Sequence, residues 1–197
     1  LLSLPGILGT TVDNIPAPVP YLRADPELAQ SWRKELEPLG GFRVGIAWQG
    51  NLSHRGDRFR SFPLRHFESL AQVEGIRYVS LQKGPGTEQL QGRFPVLDLS
   101  DRLDAVGAFL DTAAIMMNLD LVIAVDSAVA HLAGALGVPV WLALPFVPDW
   151  RWLLKRADSP WYPHHRLFRQ RRPGDWIEVF ERIATALRGL VATRTGR

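Results

Sequence analysis

The sequence predicts an α/β domain wound on both faces of a parallel β-sheet. Six short runs rich in β-branched and aromatic residues recur along the 197-residue chain. Most lack a strict polar–apolar alternation, as strands covered on both faces do. Segments of helical pattern fall between them, and that interleaving is the mark of a doubly wound sheet.

The elements follow in order. Residues 1–24 carry prolines at 5, 16, 18 and 20 and read as an extended connector. In "ADPELAQSWRKELEPL", Asp25 can cap a helix with Pro26 at its first position. After Gly40-Gly41 the strand-like runs are 42–48, 76–82, 94–99, 119–125, 138–144 and 165–170. Helices are expected over 63–73, 86–92, 104–117, 127–136 and 175–190. There is no internal repeat and no low-complexity tract.

Composition narrows the function. With 46% hydrophobic and 22% charged residues, the chain is ordinary for a soluble globular domain long enough to bury a full core. Lys+Arg exceed Asp+Glu by only 23 to 20, too little to argue for nucleic acid. The basic residues concentrate in the C-terminal third, as a solvated face or an anion-attracting rim. Without cysteine there is no disulfide, thiolate metal site or cysteine nucleophile, which fits a cytoplasmic protein. No apolar run is long enough to span a bilayer. The first residues lack both a signal peptide's basic region and an initiator methionine, so the chain reads as part of something longer. Tryptophans 150, 152 and 161 are expected on a surface that another domain would cover.

Ligands in such sheets bind beyond the carboxyl ends of the strands. In "LDLVIAVDSAVAHLAGALGVPVW" a strand runs into a small-residue helix, with Asp126 or Ser127 placed to cap it. The unpaired N–H groups and the dipole of that helix start favour an anion. Ala128 and its small neighbours allow close approach, and His131 lies one turn on, on the face of Ser127. A cap plus a core histidine is the plainer reading of the same spacing. "WQGNLSHRGDRFRSFPL" follows the first strand and offers Gly50, Asn51, Arg58, Arg60 and Ser61, the last a candidate cap. "LQKGPGTEQL" follows the second and offers Gln82, Lys83 and Glu88. The serine has no G-x-S-x-G elbow, and G-x-G-x-x-G, the Walker loop and H-E-x-x-H are missing. His164-His165 has no carboxylate at metal spacing, so no metal site is expected.

At these three loops, "VGIAWQGNLSHRGDRFRSFPL", "YVSLQKGPGTEQL" and "VDSAVAHLAGALGVPVW", the chain resembles the C-terminal half of heptosyltransferase-like glycosyltransferases of family nine. The nearest likeness is to the bacterial branch with tetratricopeptide repeats upstream, and it covers nearly the whole chain. It implies one Rossmann-like half of a GT-B glycosyltransferase that holds a nucleotide-sugar donor. By that resemblance Asp126, Ser127, Ala128 and His131 would surround the donor pyrophosphate and sugar. Arg60 would take the place of a basic residue that contacts phosphate, and Glu88 that of a carboxylate for the ribose hydroxyls. Gln82 and Lys83 also resemble the strand-end polar pair of the protein O-GlcNAc transferases.

The resemblance further implies an inverting transfer with no cofactor and no essential metal. A GT-B enzyme takes its acceptor surface, and usually its catalytic base, from an N-terminal half. Residues 1–24 are then a connector from that missing half and 25–197 the donor-binding domain, inactive by itself. A non-catalytic domain that packs beside a repeat array is the alternative. A dinucleotide oxidoreductase or epimerase is disfavoured by the missing glycine fingerprint.

Overall fold

The computed structural model describes residues 3–15, 18–91 and 94–195; Pro16 of the connector lies outside them. All six expected strands are present: β1 Phe42–Ala47, β2 Ile76–Ser80, β3 Val96–Leu97, β4 Leu121–Val125, β5 Val140–Leu144 and β6 His165–Arg169. They form one parallel sheet in the order β3-β2-β1-β4-β5-β6. The order reverses direction between β1 and β4. In a Rossmann-like sheet that switch point opens the crevice in which ligands sit.

The helices are α1 Leu4–Ile7, α2 Pro26–Leu36, α3 Asp57–Arg60, α4 Leu110–Met116, α5 Ala128–Ala135 and α6 Trp176–Thr195. Every residue of β4 is buried, yet the strand alternates in what it faces. Leu121, Ile123 and Val125 pack with Val179, Phe180, Ile183 and Leu187 of α6. Val122 and Ala124 pack with Trp32 and Leu36 of α2, Ala113–Met116 of α4 and Ala130 and Ala133 of α5. Two cores cover the two faces, which is why hydrophobicity does not alternate along the strand.

Asp25 caps α2 as expected, accepting from Leu28 N at 2.9 Å with Pro26 at the first position. Three expected helices are shorter or tighter. The 63–73 segment forms a 3₁₀ turn over Leu64–Ser69, and 86–92 one over Thr87–Leu90. Within 104–117 only α4 is helical, because Asp104 and Phe109 take positive φ of 53° and 64°, a conformation that interrupts a right-handed helix. In the leading segment Leu4, Ile7 and Leu8 are exposed. Tyr21 and Leu22, by contrast, donate their backbone N–H groups to Ala135 O at 3.0 and 3.1 Å. Trp150 is exposed, but Trp152 is completely buried, correcting the expectation that it lies on the surface. Its indole fills the space between the β5–β6 connection and α5.

Candidate functional site

A cleft of about 1190 Å³ opens at the carboxyl ends of β1, β2, β4 and β5. The β1 loop contributes Gln49, Gly50, Asn51 and Arg60; the β2 loop Gln82 and Lys83; the β4–α5 junction Asp126, Ser127, Ala128 and His131. The three loops singled out in the sequence therefore meet at one place.

The β1 loop is organised by a carboxylate that sequence reasoning passed over. Asp57 is 3% exposed; its Oδ2 accepts from Gln49 Nε2 at 2.5 Å and its Oδ1 from Arg60 Nε at 3.1 Å. Arg60 then reaches across the switch point and donates from Nη1 to Asp126 O at 2.7 Å. A buried, paired charge of this kind is costly to disturb. Gly50 leaves room for it: a Cβ there would lie 2.3 Å from Asp57 Oδ1 and 2.8 Å from Arg60 Nη2. Gly50→Ala is accordingly expected to lower stability by about 1–3 kcal/mol, as overpacking does, read from urea denaturation midpoints. A wild-type midpoint would mean that the ion pair shifts without cost.

The two caps proposed at this edge are not formed. Ser61 does not cap the turn at Leu64; its Oγ accepts from Gly50 N at 2.9 Å and Gln49 Nε2 at 3.2 Å, pinning the base of the loop. Ser127 occupies the N-cap position of α5 with extended φ/ψ of −147° and 173°, but its side chain makes no capping bond. Its Oγ is inaccessible to solvent and has no partner.

Gln82 is a clip rather than a free amide. Its Oε1 accepts from Trp48 N and Gln49 N at 3.1 and 3.0 Å, while Nε2 donates to Gln49 O and Pro85 O at 3.0 and 2.9 Å. Lys83 donates from Nζ to the carbonyls of Leu103 and Asp104. Glu88, Arg58 and Ser61 are not among the residues lining the cleft. The Glu88 carboxylate accepts from Gly86 N at 2.8 Å, and the Arg58 guanidinium lies 4.6 Å over the Phe59 ring.

His131 points its Nε2 at Asp126 Oδ1, 3.6 Å away, and shares a 3.0 Å hydrogen bond between Nδ1 and Tyr162 OH. Its ring stacks on Trp152 at 5.3 Å between centroids. Burial pushes the Asp126 carboxyl up, but His131, Trp152 and the nearby Arg60 charge outweigh it and hold the group below its ordinary value. It is therefore a carboxylate at neutral pH. Beyond the expected residues the cleft also gains Asp104, Phe109 and Thr112, Asp104 accepting from Thr112 N and Oγ1 at 3.0 and 2.6 Å. The positive φ of both Asp104 and Phe109 places local backbone strain on the cleft wall, where such strain tends to be kept for function. Among the described residues no group of three or more His, Asp or Glu could hold a metal, and no helix is long and apolar enough to cross a membrane.

No family model matches the chain. It is 32% identical over 192 residues to protein FlbA of Caulobacter vibrioides, a match covering 94% of this chain and 32% of that protein. Its fold resembles E. coli ADP-heptose LPS heptosyltransferase II, with a TM-score of 0.64 and 17% identity over 92% of this chain and 56% of that one. A glycosyl transferase of family 9 from Veillonella parvula gives a TM-score of 0.61 and 14% identity, covering 87% and 53%. E. coli heptosyltransferase WaaC with ADP-2-deoxy-2-fluoro heptose gives 0.50 and 16%, covering 85% and 49%. The chain thus spans about a third of its curated relative and about half of these structures. What it shares with the glycosyltransferases is the Rossmann-like α/β fold.

Proposed function

We propose that this chain is the nucleotide-sugar-binding half of a metal-independent, inverting GT-B glycosyltransferase of the heptosyltransferase-like type. One observation carries the reading. At the β1/β4 switch point the Arg60 guanidinium is bonded to Asp126 O, beside the start of α5. A guanidinium and helix N–H groups meeting in one crevice support a seat for an anion of the size of a diphosphate.

In this reading the donor diphosphate lies between Arg60 and the head of α5, with Ala128 allowing close approach and His131 beside the sugar. Charge grows on the leaving nucleoside diphosphate as the glycosidic bond breaks. Donors already aimed at that position lower the barrier without reorganising. Arg60 carries most of this role: Asp57 and Asp126 O take its Nε and Nη1 and leave Nη2 uncommitted, whereas Lys83 is engaged with two carbonyls and Gln82 with four backbone groups. Gly50 and Asn51 flank the seat. Glu88, whose carboxylate accepts from Gly86 N, would have to turn outward to take the ribose hydroxyls. The acceptor surface and base belong to an N-terminal half joined through residues 1–24, in a bacterial, cytoplasmic, repeat-linked protein.

The test is calorimetric titration of ADP, UDP and GDP. Binding of one at a hundred times its dissociation constant would add about 2.7 kcal/mol of stability in a thermal shift. His131→Ala is expected to weaken that binding by about 3–10-fold, the range of one lost hydrogen bond, with the fold intact. Arg60→Glu should weaken it by more than about tenfold, since a charge-assisted bond is lost and a like charge faces the phosphates. No binding of any of the three would return the chain to a non-catalytic packing domain. Equal affinities in wild type and both variants would move the ligand elsewhere.

A further inference from the structure

We infer that Tyr162 is a positioning residue for the cleft, fixing which nitrogen of His131 carries the proton, and that Tyr21 of the leading segment anchors it in turn. The consequence for ligand affinity rests on the cleft reading above; the positioning itself does not.

The direction of each hydrogen bond follows from its neighbours. Asp126 is a carboxylate and can only accept, so the His131 Nε2 facing it at 3.6 Å carries the hydrogen of the neutral ring. Nδ1 is then the lone-pair nitrogen, and the Tyr162 hydroxyl 3.0 Å away must donate to it. A hydroxyl that donates its hydrogen retains two lone pairs, and the Tyr21 hydroxyl 3.4 Å off donates to one of them. The chain runs Tyr21 to Tyr162 to His131 to Asp126. Burial, then the Tyr21 contact, raises the Tyr162 phenol above its ordinary value, keeping it a donor.

Each member is held from outside the cleft. Tyr21 is fixed by its own backbone N–H to Ala135 O at the last residue of α5, the helix that carries His131. Tyr162 is seated where Gly134 lacks a side chain, a Cβ there falling 2.5 Å from its ring. The stack of His131 on Trp152 fixes the imidazole plane, and Tyr162 fixes the tautomer. The leading segment therefore bears on the cleft through a directed hydrogen bond as well as through packing. Reordering of residues 19–22 by whatever precedes them would be felt at His131.

Tyr162→Phe keeps the ring and removes only the hydroxyl. In ¹⁵N-histidine-labelled protein at pH 8, with His131 assigned through His131→Gln, wild type should show Nε2 protonated and Nδ1 as a hydrogen-bonded acceptor. In Tyr162→Phe the Nδ1 signal should move downfield toward that of a free acceptor, while the thermal midpoint stays near wild type. Affinity for whichever of ADP, UDP and GDP binds should fall about fivefold, the worth of one neutral hydrogen bond. Tyr21→Phe, whose hydroxyl is peripheral, should move the same signal less and serves if Tyr162→Phe misfolds. An Nδ1 signal unchanged in the folded variants, or a wild-type ring protonated at Nδ1, would overturn the assignment. Failure of all three nucleotides to bind would refute the cleft reading and leave the ring signals to decide this one.

Discussion

Trp152→Ala is expected to cost about 3–5 kcal/mol of stability, the range for deleting a fully buried large aromatic. The indole is 0% exposed and stacks on His165 at 5.9 Å and 10° and on His131 at 5.3 Å and 21°. Its backbone leaves little room to collapse into the cavity. Arg169 donates to the carbonyls of Trp152, Leu153 and Leu154, and Leu153 holds a positive φ of 51°. A loop pinned at three carbonyls cannot close over the void, so the cavity cost falls on top of the lost burial. Because the removed ring also sets the plane of His131, any nucleotide affinity should drop with it. The control is Trp150→Ala two residues away: at 64% exposure its removal should stay within about 0.5 kcal/mol. Urea midpoints of the two variants check this, and similar losses in both would mean that Trp152 is not the packing centre of this corner.

The contrast between those two tryptophans illustrates how far the sequence could be read. Strand positions were legible because runs such as 121–125 are apolar throughout and end at residues suited to turns. The convergence of three loops was legible too, since the ends of parallel strands must lie along one edge. Whether a tryptophan in a Trp/Pro-rich connection turns inward depends on Arg169 and on the rings of His131 and His165, which are distant in sequence and carry no local signal. Likewise "DRFR" advertised its arginines, yet the organising residue is Asp57, and only the fold shows that Gln49 and Arg60 close on it from two sides. Only the fold shows that the Glu88 carboxylate turns back to accept from the backbone N–H of Gly86, which sits in a left-handed conformation. The helix expected over 104–117 was lost where Asp104 and Phe109 adopt conformations that tertiary contacts, not propensity, select.

Acid should destabilise the domain well before its carboxylates begin to titrate, and His165 is the reason. The residue is 4% exposed at the start of β6, packed against Tyr162 and Trp152, and neither ring nitrogen has a hydrogen-bond partner. Burial, with the His131 charge adding to it, pushes the imidazole down from 6.5 to about 3. A base whose folded value lies below its unfolded value binds a proton more readily when unfolded. Stability is therefore fully present above pH 6.5 and falls as pH drops from there toward 3, by about 1.4 kcal/mol per unit. The sum over that window is on the order of 5 kcal/mol, a large share of the 5–15 kcal/mol typical of a domain. Asp126 acts with the same sign in a lower window: its carboxyl is held below 3.8, so its share is lost only as pH falls past that value. His165→Phe preserves a flat ring in the stack and removes both orphaned nitrogens. It is expected to flatten the slope between pH 6.5 and 4 while leaving the steeper fall below 4. Urea midpoints at pH 7.5, 6.0, 5.0 and 4.2 for wild type and variant measure this directly. Parallel slopes in the two proteins would place the acid sensitivity in some other group.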